Sequence, residues 1–170
     1  MKIISLVGKR SIPVVLPIYT LLKRNLVSTN EFIEIDLIYS SETKDLAFDC
    51  KKWLEEELNN DWSFLIEPKE FKKDKEFLQS LTRGQKVYFN VNPGPNYQVS
   101  FCVLTLPEDT MYMATDSYWF YVWPPNASVE KHLLLDIGLD NFNRLSDIKA
   151  IKTGEEFRIE GTENDSLASD

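Results

Sequence analysis

The sequence predicts an α/β fold of three layers: a mainly parallel sheet between helices, with an antiparallel hairpin at one edge. Three observations predict it. From the N-terminus through residue 106, apolar and β-rich runs alternate with stretches of helical period, the pattern of right-handed βαβ units. The first run, in KIISLVGKRSIP, is almost continuously apolar at Ile3, Ile4, Leu6 and Val7, as a strand buried on both faces requires. Further on, TMYMA and YWFYVW are joined by Thr115-Asp116-Ser117 alone, too short for a crossover and right for a hairpin.

In order, Gly8-Lys9-Arg10-Ser11 breaks the first strand, and residues 13 to 26 read as a helix with Val14, Val15, Ile18, Leu21, Leu22 and Leu26 on its apolar face. Pro17 implies a kink or a later start. Phe32 to Tyr39 is the second strand, closed by the hydroxyl-rich turn Ser40-Ser41-Glu42-Thr43, and residues 44 to 59 form the second helix. Trp62 to Glu67 is a third strand, residues 69 to 82 a third helix, Gly84 a turn, and Lys86 to Val91 a fourth strand. Asn92-Pro93-Gly94-Pro95-Asn96 makes a stiff turn. Residues 96 to 106 are then an apolar, buried helix ending at Pro107. Thr110 to Ala114 and Tyr118 to Trp123 follow as strands, then a strand at Leu133 to Ile137, a helix at Asn141 to Ile148 and a strand at Glu156 to Ile159. Residues 161 to 170 read as an acidic tail or the start of a linker. The whole is Rossmann-like, although neither Gly-x-Gly-x-x-Gly nor a Walker A sequence occurs.

Composition narrows the function. Its 170 residues suffice for one domain with a sizeable core. With 19 Lys and Arg against 27 Asp and Glu, the net charge of −8 argues against binding long nucleic acid by counterion release. A small anionic ligand is compatible, because a few local cations and helix dipoles outweigh distant charge. No apolar run approaches the roughly 20 residues of a membrane span, and no secretory signal is evident, so a cytoplasmic protein is expected. Cys50 and Cys102 read as free thiols. One histidine, His132, supports neither a zinc site nor a histidine-based triad, so no metal, no cofactor and no catalytic residue is expected.

Three turns leave the C-terminal ends of parallel strands, where open α/β sheets bind ligands. Gly8 to Ser11 offers amides and two cations, Ser40, Ser41 and Thr43 offer hydroxyls, and Asn90, Asn92 and Asn96 offer amide side chains around Gly94 and Pro95. Tyr97 can stack on a base. Each set has a plainer reading beside it: solvated cations, helix caps and turn-forming asparagines. The aromatic cluster from Tyr112 to Trp123 reads as core or subunit interface before base stacking.

The opening ISLVGKRSIPVVLPI, the segment IDLIYSSET and the turn after KVYFNV together resemble the CRISPR-associated Rossmann fold (CARF) domain over about residues 1 to 125. The resemblance implies a two-fold homodimer, or a higher oligomer in a longer protein, that binds a cyclic oligoadenylate on its axis between the turns after the first and fourth strands. Carried over, it implicates Gly8, Lys9, Arg10 and Ser11, flanked by Ser40, Ser41 and Thr43, with Asn92, Gly94, Pro95, Asn96 and Tyr97 as the second wall. Related domains often carry Thr-Gly-Gly-Thr-Lys where this chain has Asn-Pro-Gly-Pro-Asn; the missing lysine and hydroxyls argue against ring cleavage. The resemblance therefore implies a CARF-like sensor at 1 to 160, joined through 161 to 170 to an effector and controlling it allosterically in antiviral type III CRISPR immunity. Two alternatives stand beside it: a ring nuclease using the same pocket, and an α/β interaction module without a small ligand.

Overall fold

The computed structural model describes residues 1–28, 30–59, 61–146, 149–153 and 156–160, the last two segments as backbone only. It contains a seven-stranded sheet in the order β3-β2-β1-β4-β5-β6-β7. Strands β1 (Lys2–Leu6), β2 (Ile33–Tyr39), β3 (Phe64–Glu70), β4 (Val87–Asn90) and β5 (Met111–Asp116) run parallel; β6 (Trp119–Trp123) and β7 (Glu130–Leu133) complete an antiparallel edge. Helices α1 (Ile12–Lys23), α2 (Lys44–Leu58), α3 (Lys75–Thr82) and α4 (Asn96–Thr105) flank it. The fold class read from the sequence is the observed one. The described residues fall into two compact units, Met1–Leu135 and those from Asp136 onward.

β1 is central because every one of its residues is buried. Alternation along the strand sends Ile4 and Leu6 to one face, where they meet Ile38, Phe89, Leu78 and Leu81 of α3, and Cys102 and Leu106 at α4. On the other face lie α1 and α2, joined by an edge-to-face contact of Tyr19 with Trp53 at 5.3 Å between ring centroids.

Several elements differ from the expected bounds, each for a local reason. Helix α1 ends at Lys23 rather than at residue 26. Asn25 turns left-handed with φ of 53°, while the Leu26 and Asn25 amides return to the carbonyls of Leu21 and Leu22, a Schellman closure. Pro17 does not break the helix. It leaves the Pro13 carbonyl without its helical donor, and the side-chain Nδ2 of Asn90 donates to that oxygen at 2.9 Å. Residues 69 to 74 are not helix: β3 runs on to Glu70, and Asp74 caps α3 by accepting from the Glu76 amide at 2.9 Å. Pro68 is tolerated in β3 because this is an edge strand.

Helix α4 is less buried than its apolar sequence suggests; Gln98 and Cys102 are its buried residues, while Leu104 is 87% exposed. The β5–β6 hairpin turns at Ser117-Tyr118, a residue pair with Ser117 at φ of 50°, because β5 extends to Asp116. The strand expected at Leu133 to Ile137 lies earlier, at Glu130–Leu133, fixed by pairing of His132 with Phe120. In the second unit, α5 spans Gly138–Leu145, against the expected 141 to 148, and closes with the Ser146 amide donating to the Phe142 carbonyl. The expected strand at Glu156 is β9 (Glu156–Glu160), paired with β8 (Lys149–Thr153), which the sequence did not signal. The tail at 161 to 170 lies outside the described residues.

Candidate functional site

Parallel pairing of β2, β1 and β4 brings the turns that follow them to one edge of the sheet. There Val7, Gly8, Lys9, Ser40, Glu42, Thr43, Gly94 and Pro95 line a cleft of about 330 Å³. Two glycines set its floor. A Cβ on Gly8 would stand 2.9 Å from the Gly94 backbone nitrogen, so the turns after β1 and β4 pack main chain to main chain. Gly94 itself has φ of 95°, and a Cβ there would fall 2.8 Å from the Leu6 Cβ. A side chain at Gly8 would push the two turns apart, and one at Gly94 would push its turn off Leu6.

The first turn leaves its polar groups unspent. Lys9 and Arg10 are exposed and, among the described residues, make no ion pair; Lys9 lines the cleft and Arg10 lies beside it in the chain. Ser11 is the N-cap of α1, only 2% exposed, with its Oγ lacking a hydrogen-bond partner. An orphaned hydroxyl at a helix N-terminus is an uncommon cost.

The second turn folds on itself. Ser40 N donates to Thr43 Oγ1 at 3.0 Å, the two hydroxyl oxygens are 3.3 Å apart, and Thr43 N donates to the Ser40 carbonyl at 2.9 Å. Thr43 is the N-cap residue of α2 without a side-chain capping bond. Ser41 is exposed outside the cleft. Glu42, which no motif in the sequence marks, shares this turn and lines the cleft.

The third turn divides. Gly94 and Pro95 line the cleft, but the asparagines largely serve the scaffold. Asn90 is fully buried, its Nδ2 donating to Ser5 Oγ at 3.0 Å and to the Pro13 carbonyl at 2.9 Å, its Oδ1 accepting from Asn92 N at 3.3 Å. Both of its donors are used within the fold, and it is not among the residues that line the cleft. Asn92 clasps β5, donating to the Thr115 carbonyl and accepting from Thr115 N, both at 2.8 Å. Asn96 and Tyr97 are exposed on the first turn of α4, outside the cleft, with Tyr97 OH accepting from Gln98 Nε2 at 3.1 Å.

A second polar cluster escapes the sequence reading. Asp36, 1% exposed in the middle of β2, is held by Lys2 Nζ at 2.9 Å and Lys69 Nζ at 2.8 Å. Lys2 also meets Glu34 at 3.0 Å, and Glu34 accepts from Gln85 Nε2 at 2.7 Å. The Gln85 hydrogen bond, and then Lys2, hold the Glu34 carboxyl below its ordinary pKa. Burial works against the charge on Lys69, but Asp36 and Glu67 outweigh it and raise its pKa. Burial pushes the thiols of Cys50 and Cys102 up to about 12, which leaves them protonated and unreactive. Among the described residues, no group of three or more His, Cys, Asp or Glu could hold a metal, and no helix is long and apolar enough to cross a membrane.

No protein-family model matches the sequence, and no curated protein does. Among solved structures, the chain is similar to a type III CRISPR defence DNA nuclease activated by cyclic oligoadenylate, with a TM-score of 0.59 and 11% identity over 95% of this chain and 28% of that one. It is also similar to protein VC1899 from Vibrio cholerae, with a TM-score of 0.62 and 12% identity over 91% of this chain and 41% of the other. At such identity the likeness is one of fold, and the chain spans less than half of either neighbour's length.

Proposed function

We propose that this chain is a CRISPR sensor domain that binds a cyclic oligoadenylate in the cleft above β1, β2 and β4 and passes the binding event to a linked effector. The observation that carries the reading is the convergence of three separate turns on one cleft, with a bare glycine floor, an unpaired lysine and the N-terminus of α1 beside it. Backbone amides at a helix N-terminus and a nearby cation are what a phosphate group needs. The first structural neighbour is itself activated by such a ligand, which supports the reading.

The volume bears on stoichiometry. At about 330 Å³ the cleft is at the small end for ligand pockets, with room for roughly one nucleotide unit. A ring of four or six units exceeds one such cleft; two copies meeting on the ligand's own two-fold axis would each hold part of it, and the pairing also doubles Lys9 and Arg10. Helix α4 starts at the cleft and carries Tyr97, Val103 and Leu104 exposed, which suits it to meeting the second copy.

Isothermal titration with cyclic tetra-adenylate and cyclic hexa-adenylate tests the proposal. Saturable binding at one ring per two chains is the expected result. No heat with either ring at micromolar protein overturns it. Chromatography of the ligand after hours of incubation separates the sensor from a ring nuclease: the sensor returns the ring intact.

A further inference from the structure

We infer that Glu42 is the specificity-determining residue of the cleft, its carboxylate accepting a hydrogen bond from a ribose 2′-hydroxyl of the bound nucleotide. The inference rests on the nucleotide reading above. Glu42 lines the cleft together with Lys9, is exposed, and among the described residues has neither an ion pair nor a side-chain hydrogen bond. The other side-chain polar groups of the lining, Ser40 Oγ and Thr43 Oγ1, already face each other at 3.3 Å, and Thr43 Oγ1 also takes the Ser40 amide. Lys9 and Glu42 are thus the two charged side chains of the lining, and among the described residues neither has an ion pair.

Their chemistry divides the ligand between them. Lys9 donates and suits a phosphate. A carboxylate only accepts and is repelled by phosphate, so it must face the part of the nucleotide that donates. An adenine nucleotide within a ring offers two such donors, the ribose 2′-hydroxyl and the exocyclic amine.

Topology chooses between them. Glu42 lies in the turn after β2, the strand beside β1, while Gly8 and the α1 N-terminus lie in the turn after β1. In doubly wound folds the turn after the first strand takes phosphate, and an acidic residue near the end of the second strand takes the ribose hydroxyl. Glu42 stands three residues past Tyr39, the last residue of β2, thirty-four residues after Gly8 rather than the roughly twenty of the dinucleotide folds, and it is the acidic side chain that lines this cleft. The cleft therefore tells a ribonucleotide from a deoxyribonucleotide.

The test is a set of titrations with three cyclic tetra- and hexa-nucleotide series: adenylates, their 2′-deoxy counterparts and inosinates, which lack the amine. The native chain is expected to bind the deoxy ring roughly tenfold to a hundredfold more weakly than the ribo ring, the worth of a hydrogen bond to a charged acceptor. In Glu42→Ala that ratio is expected to fall to about twofold or less, because the carboxylate that reads the hydroxyl is gone. A role in general electrostatics alone would change affinity for both rings equally and leave the ratio standing, which overturns the assignment. Equal binding of ribo and deoxy rings by the native chain overturns it too. Loss in Glu42→Ala of discrimination against inosinate, with the deoxy ratio kept, moves the carboxylate to the amine and also overturns it. Failure of the native chain to bind any ring overturns the sensor reading, and this assignment with it.

Discussion

The turns after β1 and β4 face each other across the cleft, and they use polar residues in opposite ways. After β1, Lys9 and Arg10 have no ion pair among the described residues and the Ser11 hydroxyl no partner, so the turn arrives at the cleft with its chemistry unspent. After β4, Asn90 binds Ser5 and the Pro13 carbonyl, and Asn92 clasps Thr115, so the side chains with the richest hydrogen-bonding capacity are consumed by the scaffold. One turn leaves its polar groups free and the other spends them holding its neighbour in place. The contrast shows that the donor count of a loop says little about its ligand capacity until the partners of each donor are known.

The contrast can be broken experimentally, starting where the effect is largest. Asn90→Ala is expected to cost about 3 kcal/mol, because it opens a small cavity and orphans the Pro13 carbonyl that Pro17 already leaves without a donor. Urea unfolding followed by circular dichroism measures it; an unchanged midpoint would show that the asparagine is not a structural clamp. Next, Gly94→Ala is expected to cost about 2 kcal/mol, through positive φ together with overlap on Leu6. Gly84, at φ of 70° with nothing within 4 Å, serves as the control, and Gly84→Ala should cost about 1 kcal/mol. Equal losses at the two sites would mean that the close packing of Gly94 on Leu6 carries no weight.

A smaller effect belongs to Glu34. Its folded pKa is depressed, so its contribution is complete above the ordinary value of 4.5 and disappears as pH falls through the folded value. Glu34→Gln should flatten the acid side of the stability curve below about pH 4.5 and leave stability at pH 7 to 9 with little pH dependence of its own. Thermal melts across pH 2.5 to 7 read this; parallel curves for both proteins would refute it.

Much of this was legible in the sequence where a physical constraint is local. The apolar run Ile3 to Val7 and the three-residue link between TMYMA and YWFYVW led directly to the buried central strand and the hairpin edge, since burial on both faces and short connections leave few alternatives. Bringing the three turns together needed only the rule that parallel strands share their C-terminal edge. What stayed hidden depends on tertiary partners. Nothing in VYFN shows that Asn90 repairs a carbonyl seventy-seven residues away, left bare by Pro17. Nothing in the β run around Asp36 shows that Lys2 and Lys69 are placed on it. The extension of β3 through Pro68 to Glu70 follows from pairing with β2, not from the propensity of PKE. Glu42 carries no signal of its own, because an acid between hydroxyls has the pattern of an ordinary helix start.

The central claim is that the β1 turn is the receiving side of a nucleotide cleft. Isothermal titration of cyclic tetra-adenylate and cyclic hexa-adenylate into the native chain and into a Lys9→Ala/Arg10→Ala double variant tests it most directly. Both residues are exposed and without ion pairs among the described residues, so the variant should keep the native melting temperature within about 2 °C. The account predicts saturable binding of at least one ring by the native chain and a loss of tenfold or more in the variant. Undiminished binding by the folded variant, or no binding by the native chain, would contradict it.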